Sequence, residues 1–111
     1  MSRHGEEVEA AYFTLLRARE ELANLRRYDE YLAVEARRLR RSRSEGRALH
    51  DEVDRRLLRG IQHTDQPLDE AVDARLGAIE DEHSRLPDRI AAAESFVEAC
   101  EREHDELRSR R

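Results

Sequence analysis

The stretch that decides the fold is residues 72–107, which read VDARLGAIEDEHSRLPDRIAAAESFVEACEREHDEL. Mostly apolar residues recur every three or four positions along it, at Val72, Leu76, Ile79, His83, Leu86, Ile90, Ala93, Val97, Cys100, His104 and Leu107. A spacing that averages 3.5 residues keeps these side chains on one face of a helix and is typical of left-handed coiled coils. The stretch therefore predicts a long helix with a narrow apolar seam.

The same spacing occurs upstream of this stretch. It runs through Val8, Ala11, Leu15, Ala18, Leu22, Leu25, Asp29, Leu32, Ala36, Leu39, Arg43, Gly46, His50, Val53 and Leu57. Gly60 and Pro67 bracket the most convincing turn between the two seams. We therefore expect a flexible leader at 1–5 and, over residues 6–111, one antiparallel helical hairpin. Its parts are a first helix over about 6–59, a turn over about 60–66 and a second helix over about 67–108.

The composition supports an all-α fold with a thin core. Of the 111 residues, 65 are Ala, Glu, Leu or Arg, 42% are charged, and Trp is absent. Such a composition is typical of coiled coils and argues against a β-sandwich or an α/β enzyme domain. The single Cys100 excludes an internal disulfide and a metal site built from cysteines.

The N-terminal residues predict self-association. Folding the chain about residues 64–65 pairs positions whose numbers sum to about 129, which leaves 6–17 without a partner inside the hairpin. A two-helix hairpin of this length also buries little surface, so we expect a homodimer with a four-helix arrangement. The candidate contact residues are apolar and lie in or just after this overhang: Val8, Tyr12, Phe13, Leu15, Leu16 and Leu22.

Positive charge is concentrated in one segment. Residues 37–47 hold six arginines and one acid, and we call the six the arginine collar: Arg37, Arg38, Arg40, Arg41, Arg43 and Arg47. In the predicted pairing the collar faces residues 82–92, whose net charge is zero, so that the collar is not neutralised. With Ser44, His50 and His83 it predicts a site for phosphates or for an acidic protein surface. The alternative is a solvated helix surface whose arginines pair locally.

Ser44 and Arg47 give the collar one resemblance. The cyclic-di-GMP-sensing anti-sigma factors are similar in outline, because they are antiparallel helical hairpins that bind the dinucleotide through a Glu, Ser, Arg, Gln, Asp series. Laid on this sequence, the series falls on Arg40, Ser44, Arg47, Asp51 and Arg55, of which Ser44 and Arg47 match. The resemblance implies, as an alternative function, a cyclic-dinucleotide-responsive anti-sigma-like or transcription regulator that uses the arginine collar.

A Glu-x-x-His pattern occurs at Glu80–His83 and at Glu101–His104. Positions three apart share a helix face, as in the carboxylate-bridged metal proteins. The segment around Glu21, taken with Glu101 and His104, resembles the two-helix encapsulated ferritins. That resemblance implies a second alternative, a ferritin-like metal-binding protein whose ligands are Glu21, Glu101 and His104.

The leading hypothesis is a non-enzymatic coiled-coil hairpin that associates with itself and binds a macromolecular partner in a regulatory or scaffolding role. A thin coiled coil offers no pocket that excludes water, so we expect neither catalysis nor a cofactor. A protein partner is expected and a nucleotide is allowed. A short basic segment in an acidic chain argues against duplex nucleic acid. No apolar run suggests a membrane span or a signal peptide, so we expect a cytoplasmic protein.

Overall fold

A computed structural model describes residues 2–51 and 55–110. It contains two long helices, α1 (Arg3–Asp51) and α2 (Arg55–Ser109). Within the described part, only Ser2 and Arg110 lie outside a helix, which confirms the all-α prediction there. Neither helix has a stretch long and apolar enough to cross a membrane within the residues described.

The predicted leader is wrong from Arg3 onward, because α1 begins there. The Gly5 amide donates to the Ser2 hydroxyl (3.1 Å), and the Glu6 amide donates to the Ser2 carbonyl (3.0 Å). A serine that accepts from the first free amides of a helix is an N-cap, which offsets the cost of starting the helix. Ser2 therefore starts α1 three residues earlier than the sequence pattern predicts.

The predicted turn over 60–66 is also wrong, because α2 begins at Arg55 and continues through it. The burial pattern at the start of α2 explains why the helix continues through residues 60–66. Leu58, Ile61 and Asp65 are half-buried and carry the 3–4 spacing of the seam upstream to the start of α2. An interior glycine costs a helix only about 1 kcal/mol and a proline about 3 kcal/mol, so packing of the seam can outweigh both.

The chain divides into two compact units, each described by itself. The terminal unit consists of Met1–Asp29 and Arg85–Arg111. Its core brings together buried apolar residues from both helices, with Ile90 and Ala93 packed against them: Leu15, Ala18, Leu22, Val97 and Cys100. All five were placed on the seams by their spacing.

Two ion pairs give the direction and register of the terminal unit. Arg19 Nη2 lies 3.3 Å from Glu101 Oε1, and Arg26 Nη2 lies 3.3 Å from Glu94 Oε1. A step of seven residues forward in α1 is a step of seven residues back in α2, so these segments run antiparallel. The predicted pairing would have placed Arg19 opposite Arg110, nine residues beyond its true partner. In this register residue 11 faces Ser109, the last residue of α2, so residues 11–17 lie opposite α2 and the predicted overhang is wrong for them.

The central unit is Glu30–Ser84. Leu32 and Ala36 of α1 and Ile79 of α2 are buried in it, at the seam positions that the sequence predicts. Glu35 is buried as well, with 7% of its surface exposed. His83 is the predicted seam position of α2 that lies exposed instead.

Candidate functional site

Arg43 joins the two helical segments of the central unit. Its guanidinium forms a bidentate ion pair with Asp73, in which Nη1 donates to Oδ1 and Nη2 donates to Oδ2 (2.9 Å). This two-pronged geometry is the strongest form of ion pair between these residue types. The hydrogen bond to Asp73, helped by the charge of Asp69, raises the pKa of Arg43 above its ordinary value. An arginine is charged at physiological pH in any case, so the effect of the pair is to hold the side chain in place.

Glu35 is held between two arginines in the same unit. Arg38 Nη2 lies 3.0 Å from Oε2, and Arg75 Nε donates to Oε1 at 3.2 Å. Only 10% of the Glu35 side chain is exposed. A carboxylate that is withdrawn from water needs such partners, because burying it alone is costly. Glu35 thus pairs arginines from both helices and is a structural anchor.

These pairs correct the prediction that the collar is not neutralised. Arg43 is bound to Asp73 and Arg38 is bound to Glu35. The prediction failed because it used the wrong register: the collar lies near Asp73 in α2, in a stretch richer in acids than residues 82–92. The other four members are exposed and have no ion pair among the described residues: Arg37, Arg40, Arg41 and Arg47.

Three of these four arginines line two grooves of the central unit, and Arg40 lines both. A groove of about 290 Å³, the arginine groove, is lined by Arg40, Arg43, Ser44, Arg47 and Leu76. A second groove of about 300 Å³ contains Arg37, Arg40 and the predicted candidate His83. The structure therefore brings Ser44 together with three collar arginines and places His83 in a different groove. The side chain of His50 lies outside the described residues.

A larger groove of about 500 Å³ adjoins Arg43 and Arg47. Asp65 and Asp69 of α2 also line it. Two acids beside two arginines leave this groove without a net charge, so it is a poorer place for an anion than the arginine groove, which has no acidic lining residue.

The predicted metal ligands are bound to other groups. Glu21 pairs with Arg17 at 3.6 Å and Glu101 with Arg19 at 3.3 Å, while the ring centroid of His104 lies 5.6 Å from that of Tyr12. No group of three or more His, Cys, Asp or Glu side chains suited to a metal ion occurs among the described residues. The i, i+3 spacing of Glu101 and His104 puts them on one helix face, but it does not supply the facing carboxylates that such a site needs.

The predicted self-association residues divide into buried and exposed members. Leu15 and Leu22 belong to the core of the terminal unit, so their packing partners are in the same chain. Val8 is half-buried. Tyr12 (44%), Phe13 (59%) and Leu16 (39%) keep large exposed fractions, and we call these three the aromatic patch. The Tyr12 and Phe13 ring centroids are 6.0 Å apart.

Two features of the structure are not predicted by the spacing of apolar residues. Phe96 of the terminal unit is 51% exposed, although it stands beside the seam residue Val97. Glu35 is buried, although it stands among charged residues. The sequence does indicate burial of Glu35 by its position, because it lies three residues after Leu32 and one before Ala36, on the flank of the seam.

Comparison with protein-family models, curated proteins and solved structures finds no match to this chain. The described features that offer a functional surface are the aromatic patch and the arginine groove.

Proposed function

We propose that this chain is a non-enzymatic coiled-coil hairpin that pairs with a second copy of itself, and that the pair serves as a regulatory or scaffolding adaptor for another macromolecule. The observation that carries the proposal is the aromatic patch. Tyr12, Phe13 and Leu16 lie on one side of α1, because residues three and four apart are neighbours on a helix surface. Aromatic side chains exposed together are typical of interface centres.

The small core gives a second reason for self-association. Among the described residues, nine apolar side chains are buried, and Leu86 is the only large one that is fully buried. Small helical domains with so little buried surface are marginally stable by themselves. Covering the aromatic patch with the same patch of a second copy would supply further burial through a two-fold symmetric contact, in which each residue is used twice.

The experiment is sedimentation velocity over a range of protein concentrations, with Phe13→Arg as the test variant. Burying the exposed part of each Phe13 ring contributes about 2 kcal/mol per copy. Losing it from both copies should raise the dissociation constant of the dimer roughly a thousandfold. The matched control is Leu57→Arg, which places the same charge at a residue of the central unit that is 64% exposed.

We expect a dimer for the wild type and for Leu57→Arg, and a monomer of unchanged helical circular dichroism for Phe13→Arg. A wild type that sediments as a monomer at every concentration would contradict the proposal. So would a Phe13→Arg variant that dimerises as strongly as Leu57→Arg.

A further inference from the structure

The arginine groove differs from the aromatic patch because its lining side chains are mostly cationic or polar. Its α1 wall consists of Arg40, Arg43, Ser44 and Arg47, at relative positions i, i+3, i+4 and i+7. This spacing places all four on one face of the helix. Leu76 of α2 adds an apolar surface, and no carboxylate lines the groove. The whole groove lies within the central unit.

The arginines of this groove differ in what they can still bind. Arg43 is committed to Asp73 through both terminal nitrogens, which neutralises its charge and fixes its side chain. Arg40 and Arg47 are exposed and form no ion pair within the part of the chain that the structure describes. The groove therefore offers two available guanidinium groups on either side of a fixed one, with the Ser44 hydroxyl between them.

We infer that Arg40, Ser44 and Arg47 form a binding site for a small phosphorylated ligand. A guanidinium presents paired N–H donors that match phosphate oxygens, and a hydroxyl adds a further donor. Arg40 and Arg47 are separated by about 10 Å along the helix axis. Their long side chains can converge over Ser44, so that each guanidinium engages one phosphate group of a compact ligand such as pyrophosphate. Leu76 provides an apolar contact for the carbon skeleton of such a ligand.

The size of the groove favours a small molecule over a nucleic-acid duplex. Its volume of about 290 Å³ lies at the lower end of small-molecule sites. Tight binding to a duplex needs many cations in a row, because each phosphate contact releases counterions. Arg38 and Arg43 are already paired with carboxylates, so the collar has fewer unpaired charges than its composition implies. The inference goes beyond the proposed self-association and does not depend on it.

The test is isothermal titration calorimetry of the full chain with inorganic pyrophosphate at low ionic strength. The test variant is Arg40→Gln with Arg47→Gln, which removes both unpaired guanidinium groups of the groove. The control is Arg37→Gln with Arg41→Gln, which removes the same charge from the same collar at exposed residues that do not line this groove. Circular dichroism checks that both variants keep the helical content of the wild type.

We expect pyrophosphate to bind the wild type and the control double variant within about threefold of each other. Removing two charge-assisted contacts should weaken binding by at least about a hundredfold in the test variant. Ser44→Ala should weaken it by about threefold to tenfold.

No measurable heat at about 10 mM pyrophosphate would overturn the inference. Equal losses in the two double variants would also overturn it, since they would show diffuse attraction to the collar. Tighter binding of a DNA duplex, with equal losses in both double variants, would assign the collar to nucleic acid instead.

Discussion

Among the described residues, Leu86 has the most completely buried side chain. It is fully buried, and it stands directly before a proline inside α2. Pro87 has no amide hydrogen and so lacks one bond of the helix ladder, yet α2 continues through it. The packing of the seam at Leu86 and its neighbours is the natural reason that the helix tolerates the proline.

Replacing Leu86 with Ala should lower the free energy of unfolding by about 2–5 kcal/mol. The Leu86 side chain is fully buried, so the shorter alanine side chain leaves a cavity in the packing. Urea denaturation followed by circular dichroism, at one protein concentration, measures the change. Leu68→Ala is the matched control, since Leu68 is 63% exposed in the same helix and should change stability by less than about 0.5 kcal/mol. Equal transition midpoints for the two variants would show that Leu86 is not a core residue.

At the scale of the element, both helices contain residues that weaken helices. Gly46 lies within α1, and Gly60, Gly77 and both prolines lie within α2. No described glycine has the positive φ that would require it. A Cβ atom built on Gly46, Gly60 or Gly77 would meet no heavy atom within 4 Å. The space beside Gly46 is therefore open, and close packing does not require a glycine there.

Gly46→Ala and Gly77→Ala should each raise the free energy of unfolding by about 0.5–1 kcal/mol, since alanine loses less backbone freedom than glycine on folding and causes no clash here. Thermal unfolding followed by circular dichroism should show the midpoint rising by a few degrees. Ala78→Gly is the reverse control at an exposed position of α2 and should lower the midpoint by a similar amount. A lower midpoint for Gly77→Ala would mean that another surface packs against that position.

At the scale of the whole molecule, apolar and charged features occupy different units. The aromatic patch belongs to the terminal unit, and the arginine groove belongs to the central unit. The chain carries a formal net charge of −5, even though the collar is strongly basic. The proposed self-association would depend on burial of apolar surface, whereas the proposed phosphate binding would depend on charge. The two activities should therefore respond differently to salt.

Raising sodium chloride from about 0.05 M to about 0.5 M should weaken pyrophosphate binding by at least about tenfold, because exposed charges are screened over a Debye length of a few ångströms at the higher concentration. Dimer formation should be unchanged or stronger under the same conditions. Calorimetry and sedimentation velocity on one preparation measure both. Dimers that dissociate as salt rises would show that the collar of one copy pairs with acids of the other, and that the aromatic patch is not the main contact.

The spacing of apolar residues predicted much of the fold at the level of faces. Leu15, Leu22 and Leu86 are buried where the seams place them. The helix ends are predicted less well, because Gly60 and Pro67 are residue types that commonly end helices. Their cost to a helix is only a few kcal/mol, and residues far apart in the chain can outweigh it by packing. The collar is a feature of the sequence itself, but which of its arginines are paired could not be predicted from local sequence.

The sequence by itself determined that the described chain is helical and which face of each helix is apolar, because a 3–4 spacing specifies a face whatever the partner. It could not determine the register, since sliding one helix past the other by seven residues still sets seam against seam. Only the tertiary structure decided that Arg19 meets Glu101 and that Arg43 meets Asp73. Those long-range pairs set the register, which decides which apolar residues are covered within the described chain and which arginines of the collar are paired.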